Sequence, residues 1–125
     1  MNQLILTVLM LIQLESPLSD RAVGDGGRSH GCLQIGQAVL DDVNRVYGRA
    51  YTRADALDPA RARTICALYL RHWGWAYERE TGRQADCRTL ARIWNGGPRG
   101  WEKRCTRSYG ERAGNLMESY RPLDP

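Results

Sequence analysis

The chain has 125 residues, 42% hydrophobic and 26% charged, with a formal net charge of +4. That length gives one domain with a core of its own, and the composition is that of an ordinary globular protein. The basic excess, carried by many arginines, suits a polyanionic partner or a solvated basic face. No run of five like charges occurs, which argues against a nucleic-acid-binding arm.

The first helix is expected from about Asn2 to Glu15. Its apolar residues Leu4, Ile5, Val8, Leu9, Leu11 and Ile12 suit a helix buried on most sides. The segment lacks a positive leading region and a small-residue cleavage site, so it reads as a core helix and not as a signal peptide. It is too short to span a bilayer. No export signal and no stable membrane insertion are therefore expected. Pro17 forces its predecessor out of the α region and ends the helix near Ser16. Residues 17–35 are rich in Gly, Ser and Asp and read as an ordered loop.

A second helix is expected over Gln37 to Tyr47, with Ala38, Val39, Val43 and Val46 inward and Gly48 as its stop. Asp58 is a natural N-cap for a third helix, and Pro59 fits its first position. Ile65, Cys66, Leu68, Tyr69, His72, Trp73, Ala76 and Tyr77 follow with helical spacing, and Gly82 ends the run. A fourth helix starts at Asp86 and carries Leu90, Ile93 and Trp94 into the breaker Asn95-Gly96-Gly97-Pro98. Residues 100–120 give one or two more helices, and 121–125 form a flexible tail. No strand alternation stands out. The expected fold is all-α: a single domain over residues 1–120, with about five to six helices around a buried N-terminal helix.

Four cysteines, Cys32, Cys66, Cys87 and Cys105, form no C-x-x-C and no zinc spacing. Buried free thiols are the simplest reading. A disulfide stays open if the protein works outside the cell, with three conceivable pairings. His30 and His72 have no carboxylate pattern around them, so no metal or other cofactor is expected. Ser16 lacks the surroundings of a nucleophile. The glycines at 24, 26 and 27 follow no strand, which makes a phosphate-binding loop a poor reading.

Glu15 carries the chemical interest. It closes an otherwise uncharged apolar helix, where burial and the helix dipole both oppose its charge. A carboxyl that keeps its proton near neutrality can act as a general acid. Asp25 is the first choice for a second carboxylate, followed by Asp41 and Asp42. Asp25 also suits a plain turn in Gly24-Asp25-Gly26-Gly27, and Asp41 and Asp42, read as opening the second helix, suit helix-start electrostatics.

The order Glu15-Ser16, Gly24-Asp25-x-Gly27, Gly31-Cys32-Leu33-Gln34-Ile35, Trp94-Asn95-Gly96-Gly97-Pro98 and Thr106-x-x-Tyr109 resembles the soluble lytic transglycosylase and goose-type lysozyme group. The resemblance spans about residues 4–110. It implies a lysozyme-like domain that cleaves the β-1,4 bond between N-acetylmuramic acid and N-acetylglucosamine in peptidoglycan. On that resemblance, Glu15 is the catalytic acid and Ser16 its neighbour in the E-S motif. Gly31, Leu33 and Gln34 wall the sugar cleft. Asn95 lies near the sugar at the scissile bond, Tyr109 hydrogen-bonds near Glu15, and Asp25 positions water. Cys32 and Leu33 depart from the group's loop residues without removing a catalytic group, and Trp94 replaces a tyrosine and its hydroxyl.

The implied partner is a peptidoglycan glycan strand, with no nucleic acid, for a monomer acting at the bacterial cell wall. The chain looks like a phage or prophage lysin, or a small bacterial relative, expected to stay cytoplasmic until lysis machinery, a pore partner or a missing segment takes it to the wall. Hydrolysis stands slightly ahead of the transglycosylase reaction because Asp25 is present. In the latter reaction the substrate's own 6-hydroxyl attacks, and Glu15 serves as acid and base in turn. A non-catalytic wall-binding module and a small basic nucleic-acid binder are the rivals from other classes. No recognition-helix motif supports the second.

Overall fold

The computed structural model describes residues 3–15, 23–24, 29–30 and 33–119. It is mostly helical, with six α-helices among the described residues. Contacts divide the chain into two compact units, Glu15–His72 on one side and Met1–Leu14 with Trp73–Pro125 on the other.

In the unit built from Met1–Leu14 and Trp73–Pro125, α1 spans Gln3–Glu15 and so ends one residue past the boundary. Thr7, Val8, Met10 and Leu11 are buried, but Ile5 and Leu9 are 48% and 38% exposed. The expectation of burial on most sides fails on that face, because residues 5 and 9 lie one turn apart on the same side. The Thr7 hydroxyl hydrogen-bonds the Cys87 thiol, which explains a fully buried threonine in an apolar helix.

Helix α5 follows at Cys87–Gly96. Asp86 caps it by accepting from the Thr89 N–H at 2.8 Å. Gly97, at φ 92°, takes it out of helical geometry. Two 3-10 turns, Gly100–Glu102 and Arg104–Thr106, lead into α6 at Arg107–Ser119. Helices α5 and α6 pack face to face. Their approach depends on Gly110 and Gly114, one turn apart on α6. A Cβ at Gly110 would lie 2.8 Å from Arg92 Cγ, and one at Gly114 would run into the Arg88 guanidinium. Each glycine costs about 1 kcal/mol of helix propensity against alanine. What it gives is room for an arginine of α5 to lie across the helix backbone.

In the unit Glu15–His72, the expected loop contributes three two-residue strands: β1 (Val23–Gly24), β2 (Ser29–His30) and β3 (Ile35–Gly36). They pair antiparallel in that order, with Val23 opposite His30 and His30 opposite Ile35. Strands of two residues are too short to show alternation, so no pattern in the sequence announces them.

Helix α2 covers Gln37–Tyr47 and stops at Gly48, whose φ of 63° is the left-handed conformation glycine adopts freely. Its inward residues are Leu40 and Val43, while Val39 and Val46 are half-buried and Ala38 is exposed. Ala38 was expected inward, yet at 100° per residue it sits about 140° from Val43. A short helix, α3 (Arg53–Ala56), then appears. The Asp55 carboxylate accepts from the Thr52 N–H at 2.8 Å, half of a capping box. Helix α4 spans Pro59–Thr81, and Asp58 caps it through the Arg61 N–H at 2.9 Å. Its residues 59–72 belong to this unit and 73–81 to the other. Leu33, Ile35, Leu40, Val43, Ile65 and Leu70 are almost wholly out of solvent. Each such side chain contributes about 1.5–3 kcal/mol against exposure.

Candidate functional site

Three residues assigned to the site, Ser16, Asp25 and Gly31, lie outside the described residues. Of the rest, Glu15, Leu33 and Gln34 fall in the unit Glu15–His72, and Asn95 and Tyr109 in the other.

Glu15 is the last residue of α1 and is half-buried. The apolar run before it delivers it to the carbonyl end of the helix, where cations are the favoured side chains. The Asp41 and Asp42 carboxylates are engaged within α2. Asp41 accepts from Gln37 Nε2 at 2.9 Å, and Asp42 pairs with Arg45 at 3.2 Å. Both lie in the middle of α2, whose first turn holds no acidic residue, so the expected helix-start role fails and each pairs instead with a neighbour about one turn away. Asp42 also faces Tyr69, whose hydroxyl is pushed up from the ordinary phenol range by burial first, and then by the Asp42 and Cys66 charges.

Leu33 and Gln34 divide the work of their loop. Leu33 is fully buried, so its side chain packs in the core and only its backbone can face a substrate. Gln34 is half-buried and holds φ at 51°. It is the one non-glycine with positive φ among the described residues. For a residue with a Cβ this conformation costs about 1–2 kcal/mol, and such strain collects at functional sites. It turns the chain directly before β3, so the strand pairing and the buried Leu33 and Ile35 hold the strained residue from both sides.

In the other unit, two of the motifs meet. Gly96, from the Asn95-Gly96-Gly97-Pro98 segment, faces Thr106, and a Cβ on Gly96 would collide with the Thr106 methyl. Thr106 is fully buried. Its Oγ1 accepts from Arg92 Nε at 2.8 Å and lies 2.6 Å from the Gly100 carbonyl and 2.9 Å from the Lys103 carbonyl. Its single proton is shared between those two acceptors. Arg92 Nη2 donates to the Lys103 carbonyl at 2.7 Å, and Lys103 Nζ donates to the Gly96 carbonyl at 2.6 Å. The knot ties the end of α5 to both 3-10 turns. Asn95 itself is exposed, and Trp94 is half-buried. Tyr109 is buried, with the Arg112 guanidinium 5.4 Å from its ring centroid.

No protein-family model and no characterised protein matches the chain.

Two further features of this unit leave no plain mark in the sequence. A cavity of about 510 Å³ has Tyr77, Arg83, Asp86, Trp101 and Glu102 among its walls. Trp101 stacks edge-on against Tyr77 at 5.1 Å, with the Arg99 guanidinium 5.2 Å from its own ring. Arg99 forks onto Glu80 with two bonds of 2.8 Å and also pairs with Glu102. The Glu80 carboxyl is held below the usual carboxylate range, chiefly by its hydrogen bond to Arg99. The second feature is a smaller cavity of about 210 Å³ between α5 and α6, walled by Arg88, Arg92, Arg107, Gly110 and Glu111. Helical spacing puts Arg88 and Arg92 on one face, but only the glycines of α6 reveal what that face meets.

Among the described residues no disulfide forms; Cys66 and Cys87 are buried as expected, whereas Cys105 is exposed. Burial pushes the Cys87 thiol up, with the Thr7 hydrogen bond opposing. Cys32 lies outside the described residues. Among the described residues no group of three His, Cys, Asp or Glu side chains is placed to hold a metal ion, and no helix is long and apolar enough to cross a membrane.

Proposed function

We propose that this chain cleaves the β-1,4 bond between N-acetylmuramic acid and N-acetylglucosamine in peptidoglycan, with Glu15 as general acid. The observation that carries the reading is the backbone of Gln34. A residue that its loop motif assigns to a sugar-cleft wall holds a left-handed conformation, at φ 51°. Strain of that kind persists where the surroundings fix a residue for a task. The half-buried Glu15 at the end of an apolar helix, and the junction of the Asn95-Gly96 segment with Thr106, agree with it.

In this reading Glu15 delivers its proton to the leaving glycosidic oxygen as positive charge builds on the sugar ring. Asp25 positions and deprotonates the attacking water, which inverts the anomeric centre. For that route the two carboxyls stand about 6.5–9.5 Å apart, with the water between them. Asn95 contacts the sugar at the scissile bond, and Tyr109 supports Glu15.

The test uses purified cell walls. The native chain is expected to clear their turbidity and to release fragments with reducing ends. Glu15→Gln is expected to abolish clearing while leaving the helical circular dichroism unchanged. A Glu15→Gln protein that still clears walls overturns the assignment. Fragments ending in anhydro sugars replace hydrolysis by the transglycosylase reaction.

A further inference from the structure

We infer that the α5–α6 cavity is a binding site for a doubly charged phosphate group. The proposal stands apart from the glycan-cleaving reading and uses none of its residues.

The first ground is the charge that the fold gathers. Three arginines, Arg88, Arg92 and Arg107, line one cavity of about 210 Å³ together with a single acidic residue, Glu111. Three other arginines have carboxylate partners: Arg45 with Asp42, Arg61 with Asp55, and Arg99 with Glu80 and Glu102. None of Arg88, Arg92 and Arg107 forms an ion pair with a carboxylate among the described residues. One carboxylate against three cations leaves an excess of positive charge, which is unfavourable unless something else offsets it.

The second ground is how two of the arginines are held. Gly114 leaves the space that the Arg88 guanidinium fills, and Gly110 leaves the space under the Arg92 stem. Arg92 is further tied to Thr106 and to the Lys103 carbonyl. It therefore supplies fixed charge, and Arg88 and Arg107 supply the free donors. A preorganised guanidinium loses little side-chain freedom when an oxyanion arrives.

The ligand class follows from the balance. Three positive charges and one negative leave +2, which matches a phosphate monoester or inorganic phosphate better than a singly charged carboxylate or phosphodiester. Guanidinium forks match tetrahedral oxyanions in bidentate fashion.

The test is calorimetric titration of the full chain, without cell walls, at about pH 8 and constant ionic strength. Inorganic phosphate is the first probe. Glycerol phosphate then separates a free ion from a monoester carried on a larger molecule, and acetate and dimethyl phosphate are the monoanion controls. Phosphate is expected to bind at least tenfold tighter than either monoanion. The Arg88→Gln, Arg107→Gln double variant is expected to lose at least tenfold of that affinity. Both positions are exposed, so its helical circular dichroism should match the native chain. Arg71→Gln, an exposed charge in the other unit, is expected to change binding less than twofold. The proposal is overturned if phosphate binds no better than acetate. It also fails if the double variant keeps native affinity, or if Arg71→Gln loses as much as the double variant.

Discussion

Thr106→Val separates the hydroxyl of the Thr106 knot from its shape. Valine keeps the methyl that faces Gly96 and removes only the oxygen. Two interactions are lost at once. The Arg92 Nε–H loses its 2.8 Å acceptor, and the buried Gly100 carbonyl loses its 2.6 Å donor. A hydrogen bond to a charged group contributes about 1.5–3 kcal/mol. Arg92 is only half-buried, so water can replace part of that, and the lower end applies. The Gly100 carbonyl keeps the Lys103 N–H as a donor at 3.1 Å, so losing the hydroxyl costs only a neutral hydrogen bond, about 0.5–1.5 kcal/mol. The Lys103 carbonyl keeps Arg92 Nη2 as a donor and adds little. The expected destabilisation is about 2–3 kcal/mol. With a urea slope of about 2 kcal/mol per molar for a chain of this size, the unfolding midpoint should fall by about 1–1.5 M. Thr106→Ser keeps the hydroxyl and should lose much less. A midpoint shift for Thr106→Val below about 0.3 M at unchanged slope, or an equal shift for Thr106→Ser, would refute the argument.

Gly100 and Gly48 form a contrasting pair. A Cβ at Gly100 would strike the Arg92 backbone, which cannot rotate away, whereas Gly48 has open space and only its φ of 63° to forbid a side chain. Gly100→Ala is expected to cost about 3 kcal/mol or more by overpacking and Gly48→Ala about 1 kcal/mol, measured by urea unfolding; equal costs would sink the distinction. The Arg99 clamp sets an acid dependence. Because the Glu80 carboxyl is lowered in the folded state, chiefly by its hydrogen bond to Arg99, its contribution is complete above the ordinary glutamate range. It is lost as pH falls through the lowered folded value. Arg99→Gln should therefore lower the thermal midpoint at neutral pH, with the gap to the native chain closing in strong acid. A gap that widens in acid contradicts that sign.

Where local chemistry decides an element, the sequence reading and the structure agree. Gly48 stops α2, Asp58 with Pro59 starts α4, and Asp86 starts α5, because caps and stops act through one or two neighbouring residues. Features that depend on long-range pairing were hidden. Four residues of α3 carry no period, and the two-residue strands find their register only by pairing with one another. The inward face of α2 was misjudged through Ala38, since an apolar residue is not thereby a core residue. At the candidate site, the strain at Gln34 follows from β3 and the buried residues around it, which no local pattern reveals. Gly110 and Gly114 are equally opaque in sequence, where glycine inside a helix reads as a weakness.

The pairing of Arg88 with Gly114 and of Arg92 with Gly110 also constrains how this chain can vary. Position 114 can accept a side chain only if position 88 becomes shorter or turns away, and positions 110 and 92 are bound by the same exchange. Among descendants of this sequence the two pairs should change together. A lineage that fills both glycines would surrender the arginine-lined cavity in the same step, trading its gathered positive charge for an ordinary seam between two helices.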